Sequence, residues 1–239
     1  MRYLSSAVTA ATVTILCTHS IARVSRSKSE ARTSYNKLSR WYDVLAEQSE
    51  KRFRDVGLRK LKPIEGEHLL EIGFGTGHGL LALAQAVGNS GKAYGLDLSE
   101  GMLKITRARV EKAGLSQRVT LIWGDGANLP FQANYFDAIF MSFTLELFDT
   151  PEIPLVLHAC QRVLRPDGRI CVVAMSKRRN ANLATRLYEW SHRQFPKYVD
   201  CRPIFVRQSL AESGFQIVEA IEMSMWRLPV AVVLAKKAI

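Results

Sequence analysis

Residues 71–77 read EIGFGTG, with glycines at 73, 75 and 77 between an apolar run and a helical one. Glycines so spaced let the chain turn sharply and let a ligand approach the backbone with no Cβ in the way. Two readings compete for such a loop. In the dinucleotide pattern G-x-G-x-x-G, a helix amino-terminus holds a pyrophosphate. Here the third glycine comes one residue early and an acid, Glu71, precedes the first. An acid there suits a cationic group better than a diphosphate, because like charges repel. Twenty residues past Gly77 lies Asp97, in GLDLS. A carboxylate at that place can accept from both hydroxyls of a ribose, and hydrogen bonds to a charged acceptor contribute about 1.5–3 kcal/mol each. Asp125, in GDGANLPF, ends the next expected strand and could accept from an adenine amino group. Each acid alone is ordinary turn or cap chemistry. Three acids at the ends of three successive strands, the first beside a glycine loop, are a far more specific constellation.

The elements that must position them alternate. His68–Ile72, Ala93–Leu96, Val119–Trp123, Phe136–Phe143 and Arg169–Met175 are short apolar runs, expected as strands. Between them, helices are expected at His78–Val87, from the Ser99 cap to Lys112, and at Glu152–Leu164, the last stopped by Pro166-Asp167-Gly168. Near-continuous apolar strands separated by helices indicate an α/β fold, a parallel sheet covered on both faces. Before them, Tyr35, Leu38, Trp41, Tyr42 and Leu45 form a helical stripe, and a short helix is expected over Glu50–Leu61. After Met175 the rhythm breaks. A helix is expected at Asn180–Gln194, another at Val206–Ser213, and the last two strands at Phe215–Ala220 and Leu228–Ala235.

These residues resemble the class I S-adenosylmethionine-dependent methyltransferases, from about Tyr35 to the carboxyl terminus. The matching motifs are EIGFGTG (71–77), GLDLSEGML (95–103), GDGANLPF (124–131), FDAIFMSFTLELF (136–148) and RVLRPDGRI (162–170). Within the class, the chain is most similar to the ubiquinone/menaquinone C-methyltransferases and their relatives. The resemblance implies a Rossmann-like, seven-stranded, mostly parallel sheet with helices on both faces and the last strand antiparallel. It implies S-adenosylmethionine as cofactor. Gly73, Gly75 and Gly77 would line its methionine and ribose, Glu71 would lie near the cationic amino-acid end, and Asp97 would hold the ribose. Leu98 and Met102 would pack on adenine, although plain helix packing accounts for Met102 as well. Asp125 and Gly126 would meet the adenine edge. Ser142 and Phe143 would sit under the cofactor, facing the substrate. SRWYD (39–43) looks like the family's amino-terminal segment, so Tyr42 would close over the cofactor. Asp167 stands where the family has glycine, but Asp-Gly preserves the turn. Segment 176–207, the expected substrate lid, matches no quinone-family signature.

Methyl transfer from a sulfonium is an in-line substitution, in which the protein mainly supplies proximity and alignment. A carbon or oxygen acceptor must also lose a proton. His192 and Tyr188 lie four residues apart on the expected lid helix and are the candidate catalytic residues, with Tyr198 and Asp200 nearby. His158 is a weaker candidate, and His78 is expected to shape the cofactor pocket. No NPPY or DPPY segment for amino-group methylation is present, and no carboxylate cluster suggests a metal.

Composition sets the outer bounds. The chain has 239 residues, 47% hydrophobic and 23% charged, which excludes disordered, collagenous and multi-span membrane classes. The four cysteines, 17, 160, 171 and 201, follow no ligand or disulfide spacing and read as buried thiols. The net charge of +11 is uneven: residues 1–62 carry +8, 63–175 carry −3 and 176–207 carry +6. If the two basic segments meet, they make a face for an anionic partner or a membrane surface. Residues 1–32, with no acid before Glu30 and ten Ser/Thr, resemble a transit peptide or a poor signal peptide and are expected to lie outside the fold. The methyltransferase domain is then 33–239. The expected site of action is cytoplasmic or membrane-peripheral, or an organelle if residues 1–32 are a targeting segment.

Three functions follow. The first is a methyltransferase acting on a hydrophobic small molecule, a quinol or a lipid-like acceptor, with a phospholipid amine as its close alternative. The second is an RNA methyltransferase, against which no appended RNA-binding module is found. The third is a non-enzymatic S-adenosylmethionine-binding protein.

Overall fold

The computed structural model describes residues 49–177 and 202–238. Residues 1–48, which include Tyr42 and its stripe, and Tyr188, His192, Tyr198 and Asp200 of the expected lid lie outside those residues.

Seven strands form one sheet: β1 (His68–Ile72), β2 (Lys92–Asp97), β3 (Val119–Trp123), β4 (Phe136–Ser142), β5 (Leu164–Met175), β6 (Phe215–Met225) and β7 (Leu228–Lys237). Their order is β3-β2-β1-β4-β5-β7-β6. Strands β1 to β5 pair in parallel, and β7 runs antiparallel to both its neighbours. The chain order reverses between β1 and β4. In open α/β sheets such a reversal leaves a crevice at the carboxyl ends of the strands, where ligands bind.

Helices cover both faces. On one side lie α1 (residues 49–61), α2 (His78–Ala86) and α3 (Glu100–Lys112). They pack Phe53, Leu61, Leu80, Leu83, Met102 and Val110 against Leu69, Ala93, Ala138, Phe140 and Val173. On the other side, α4 (Ile153–Val163) and α5 (Val206–Glu212) pack Val156, Leu157, Cys160, Val206 and Leu210 against Leu70, Ile72, Ile139, Met141 and Val172. Successive strand residues thus serve opposite cores, which is why the strands read as unbroken apolar runs. A Cβ on Gly57 would come within 2.5 Å of Val173 and 2.9 Å of Phe140. That glycine costs α1 about 1 kcal/mol of helix propensity, and its bare backbone lets the helix lie directly on β4 and β5.

Ser99 caps α3, its hydroxyl accepting from Met102 N at 3.3 Å. Glu100 in the first turn and Arg109 and Lys112 in the last complement the helix dipole. Cys160 and Cys171 are buried free thiols, each pushed up to about 12 by burial.

Two boundaries depart from the sequence reading by five residues, the others by at most two. β5 begins at Leu164 rather than Arg169, because Leu164 pairs with Phe136 before the register shifts at Ala138. Asp167, at φ +62°, sits in that irregular stretch. β6 runs on to Met225 rather than Ala220 and joins β7 through the two residues Trp226 and Arg227. Glu222 and Ser224 obscured its far half, since edge position lets polar and charged side chains point to water.

Candidate active site

The loop from Gly73 to Gly77 lies between the carboxyl end of β1 and the start of α2, with all three glycines at positive φ. Its shape is enforced from two sides. A Cβ on Gly73 would meet the Thr144 side chain at 2.4 Å, and one on Gly77 would meet that of Thr106 at 2.5 Å. Thr106 Oγ1 donates to Gly75 O at 2.9 Å, and Arg109 Nη1 donates to Thr76 O at 2.7 Å. Two side chains one turn apart on α3 therefore hold the loop's carbonyls. Gly75 differs: at φ +52°, a Cβ built on it meets nothing within 4 Å. The loop is packed at its edges and open at its middle.

Asp97 ends β2 and is 9% exposed. Its Oδ2 accepts from Gly75 N at 2.9 Å and its Oδ1 from Ser99 N at 2.8 Å. A carboxylate has about four acceptor sites, so each oxygen keeps capacity for a ligand hydroxyl. Burial raises its pKa to about 6, against the pull of the backbone N–H groups of Ser99, Gly75 and Leu98.

Glu71 lies beneath the loop, 2% exposed. A Cβ on Gly79, in the first turn of α2, would meet its Oε1 at 2.2 Å. Its Oε2 is buried with no hydrogen-bond partner among the described residues. Burial raises its pKa to about 8, offset in part by Arg54 and reinforced by Asp97. A cation beside it would restore the charge that burial opposes.

The remaining expected residues separate by role. Asp125 Oδ1 accepts from Ala127 N at 3.0 Å, closing a turn after β3. Gly126 is pressed between Ile72 and Phe148, each 2.9 Å from where its Cβ would stand. Leu98 is half-buried, and its carbonyl accepts from Trp123 Nε1 at 2.9 Å. Met102 is 2% exposed inside the α1–α3 core, so helix packing accounts for its position. Ser142 ends β4. Phe143 follows at φ +52°, its N donating to Val173 O at 2.8 Å and its ring edge-on to Phe53 at 6.1 Å. A bulky residue at positive φ is strained, and such strain concentrates at functional sites. His158 is exposed on α4, and His78 opens α2.

Thr106, Arg109, Thr144 and Glu146 belong to the site without having been expected there. Glu146, in the 3₁₀ turn Leu145–Leu147, is 1% exposed. Its Oε1 accepts from Met175 N at 2.9 Å, at the carboxyl end of β5, and its Oε2 has no partner among the described residues. Burial raises its pKa to about 8; the Met175 N–H and its own N–H pull it down, and the nearby charge of Glu50 adds to the rise. The one signal in the sequence was an acid within an otherwise apolar FMSFTLELF run.

The residues present fit an adenosyl sulfonium. The open backbone at Gly75, the spare acceptor capacity of Asp97 and the unpartnered Glu71 oxygen suit its close approach, its hydroxyls and its cationic end in turn. Among the described residues there is no group of three or more His, Cys, Asp or Glu that could hold a metal.

Comparison with known proteins agrees with this geometry. A methyltransferase domain family matches residues 69–168. Demethylmenaquinone methyltransferase of Bacillus subtilis is 33% identical over 147 residues, 60% of this chain and 62% of that protein. Its counterpart in Geobacillus kaustophilus is 36% identical over 138 residues, 56% of this chain and 58% of that protein. The chain therefore spans about three fifths of the length of these curated relatives. Among solved structures, a SAM-dependent methyltransferase of Aquifex aeolicus superposes with TM-score 0.64 at 23% identity, covering 85% of this chain and 98% of that one. The [4+2]-cyclase SpnF superposes with TM-score 0.73 at 19% identity, covering 89% and 96%. A cyclase on this fold shows that the fold alone does not name a reaction. Residues 69–168 thus match a methyltransferase domain family, on a fold shared with SAM-dependent methyltransferases, and over about three fifths of its length the chain is similar to the demethylmenaquinone methyltransferases.

Proposed function

We propose that this protein transfers a methyl group from S-adenosylmethionine to a hydrophobic small molecule, a quinol or lipid-like acceptor. The observation that carries the reading is the Gly73–Gly77 loop, open over Gly75 and flanked by the buried carboxyls of Asp97 and Glu71. The bound cofactor supplies a methyl group already activated on a sulfonium. Asp97 would accept from its ribose hydroxyls while holding Gly75 N, so that ligand and loop share one anchor. Glu71 would face its cationic end. Leu98, Asp125 and Gly126 would border the adenine, and Ser142 and Phe143 the reacting face. Tyr42 would cover the cofactor, and Tyr188 and His192 would act from the lid.

On the acceptor side, Glu146 Oε2 is the candidate proton acceptor among the described residues. It lies at the carboxyl ends of β4 and β5, two residues beyond Thr144, which packs on the loop. A hydroxyl of a quinol bound there would give its proton to the ionised form of Glu146, the minority form at pH 7 with the pKa raised to about 8, as the nucleophile forms. The demethylmenaquinone methyltransferase relatives favour a quinol over a phospholipid amine.

The test is transfer of labelled methyl from S-adenosylmethionine into a cell extract, which is then divided into organic-soluble, nucleic-acid and protein fractions. Label in the organic fraction, resolved as a quinone by mass spectrometry, is expected. Label in phospholipid would select the amine reading, and label confined to RNA would overturn the proposal.

A further inference from the structure

The β6–β7 hairpin closes on two residues. Met225 pairs with Leu228, leaving Trp226 at φ +49° and Arg227 at φ +68° as the whole turn. A two-residue turn with positive φ at both positions favours Asn-Gly or Asp-Gly, because β-carbons are disfavoured there. A tryptophan followed by an arginine breaks that rule twice. Nothing in the core requires it, since Trp226 is 74% exposed, the most exposed of the large apolar side chains described. Strained bulky residues held at a solvent tip break local rules for a reason outside the fold.

The tip's place suggests the reason. Met175, the last residue of β5, pairs with Val230, and Ser176 N donates to Pro229 O at 2.8 Å. The turn thus projects beyond the carboxyl end of β5, the end that carries Glu146, Phe143 and the glycine loop. Arg52 of α1 donates to Ser224 O, just behind the tip. Lys177 follows Ser176 and lies 5.9 Å over the ring of Phe205, which is 38% exposed. The nearest acid along the hairpin, Glu222, is four residues back from Trp226, about 13 Å along the strand. Met225, partly buried behind the tip, supplies further apolar surface. An exposed indole with Arg227 beside it in the turn, and with Arg52 and Lys177 on the neighbouring elements, matches the water–hydrocarbon boundary of a bilayer with anionic headgroups, where indole rings settle and basic side chains gain attraction.

We infer that the Trp226–Arg227 turn is a membrane-docking tip that seats in an anionic lipid surface, holding the mouth of the site against the bilayer. This does not depend on which atom of the acceptor is methylated.

The test uses the full chain with phosphatidylglycerol/phosphatidylcholine vesicles and with phosphatidylcholine vesicles, by co-flotation at physiological salt. The variant is Trp226→Asn combined with Arg227→Gly, which restores the residues that this turn prefers. Its melting temperature is expected to be equal to or above that of the parent, and its affinity for S-adenosylhomocysteine unchanged. Its partition onto the anionic vesicles is expected to fall about tenfold, the scale of losing one large apolar side chain from a nonpolar setting. Quenching by brominated lipid is expected to fall with it. Undiminished partition and quenching would overturn the inference, and so would a variant that keeps vesicle binding but loses affinity for single-stranded RNA. A lower melting temperature in the variant would show that Trp226 serves the fold and would also overturn it.

Discussion

Asp97 holds Gly75: the carboxyl oxygen Oδ2 at the end of β2 accepts the loop's central N–H at 2.9 Å. The acid expected to bind ribose also sets the backbone that the cofactor must approach, so binding and loop shape are coupled through one side chain. Ionisation strengthens both roles. With its pKa raised to about 6 by burial, Asp97 gains its charge as pH rises through that value. Affinity for S-adenosylhomocysteine should therefore climb from about pH 5 to pH 7 and level off. Asp97→Asn should be weaker and flat over the same range. Calorimetric titration at several pH values reads this, and a parallel climb in the variant would assign the effect to another group.

Glu71 should release a proton when the cofactor binds. It is raised to about 8 by burial, so it is largely protonated at pH 7, and a sulfonium or ammonium beside it favours the carboxylate. Binding enthalpy at pH 7 should depend on the buffer's ionisation enthalpy, with a slope approaching one proton released. Glu71→Gln should lose that dependence. A slope of zero in the parent would rule out the cationic contact.

Two glycines should respond differently to the same added methyl group. Gly73→Ala drives a Cβ into Thr144 at 2.4 Å and should cost several kcal/mol through overpacking and positive φ together. Gly75→Ala meets nothing and should cost about 1–2 kcal/mol for its left-handed backbone, a drop of a few degrees in Tm. Its cofactor affinity should nevertheless fall at least tenfold, because the new Cβ occupies the open approach. Thermal melts beside equilibrium binding distinguish the two.

Glu146 carries a stability signature independent of substrate. Its folded pKa, about 8, is above the ordinary value of 4.5. The folded state therefore holds the proton more tightly, and stability is greatest below about pH 4.5 for this group and is lost as pH rises through about 8. Glu71 acts in the same direction. Glu146→Gln should flatten part of the fall in Tm between about pH 5 and pH 8. In turnover it should lower kcat with little change in cofactor affinity, and Glu146→Asp should restore part of the rate. Unchanged kcat in the Gln variant would remove Glu146 from the chemistry.

Much of this was legible in the sequence. Strands β1 and β3 begin and end where apolar runs meet glycine, proline or charge, and Ser99 announces α3 through its capping chemistry. The glycine loop, Asp97 and Glu71 were legible because motif spacing is local. Thr106, Arg109 and Thr144 were not, because they act across 31, 33 and 71 residues on backbone carbonyls of the loop, and nothing local marks such contacts. Met102 read as a ligand contact and as helix packing alike, and only its burial in the α1–α3 core separates them. The far half of β6 was hidden because an edge strand with one face in water alternates charge with apolar residues.

The central claim is that the glycine loop and Asp97 form an adenosyl-sulfonium site. Calorimetric binding of S-adenosylhomocysteine to the purified chain and to Asp97→Ala, with circular dichroism confirming both folds, tests it most directly. The account predicts saturable one-site binding by the parent and a loss of at least tenfold in the variant. That loss corresponds to about 1.5–3 kcal/mol, one hydrogen bond to a charged acceptor. Equal affinity in two folded proteins, or no binding by the parent, would contradict it.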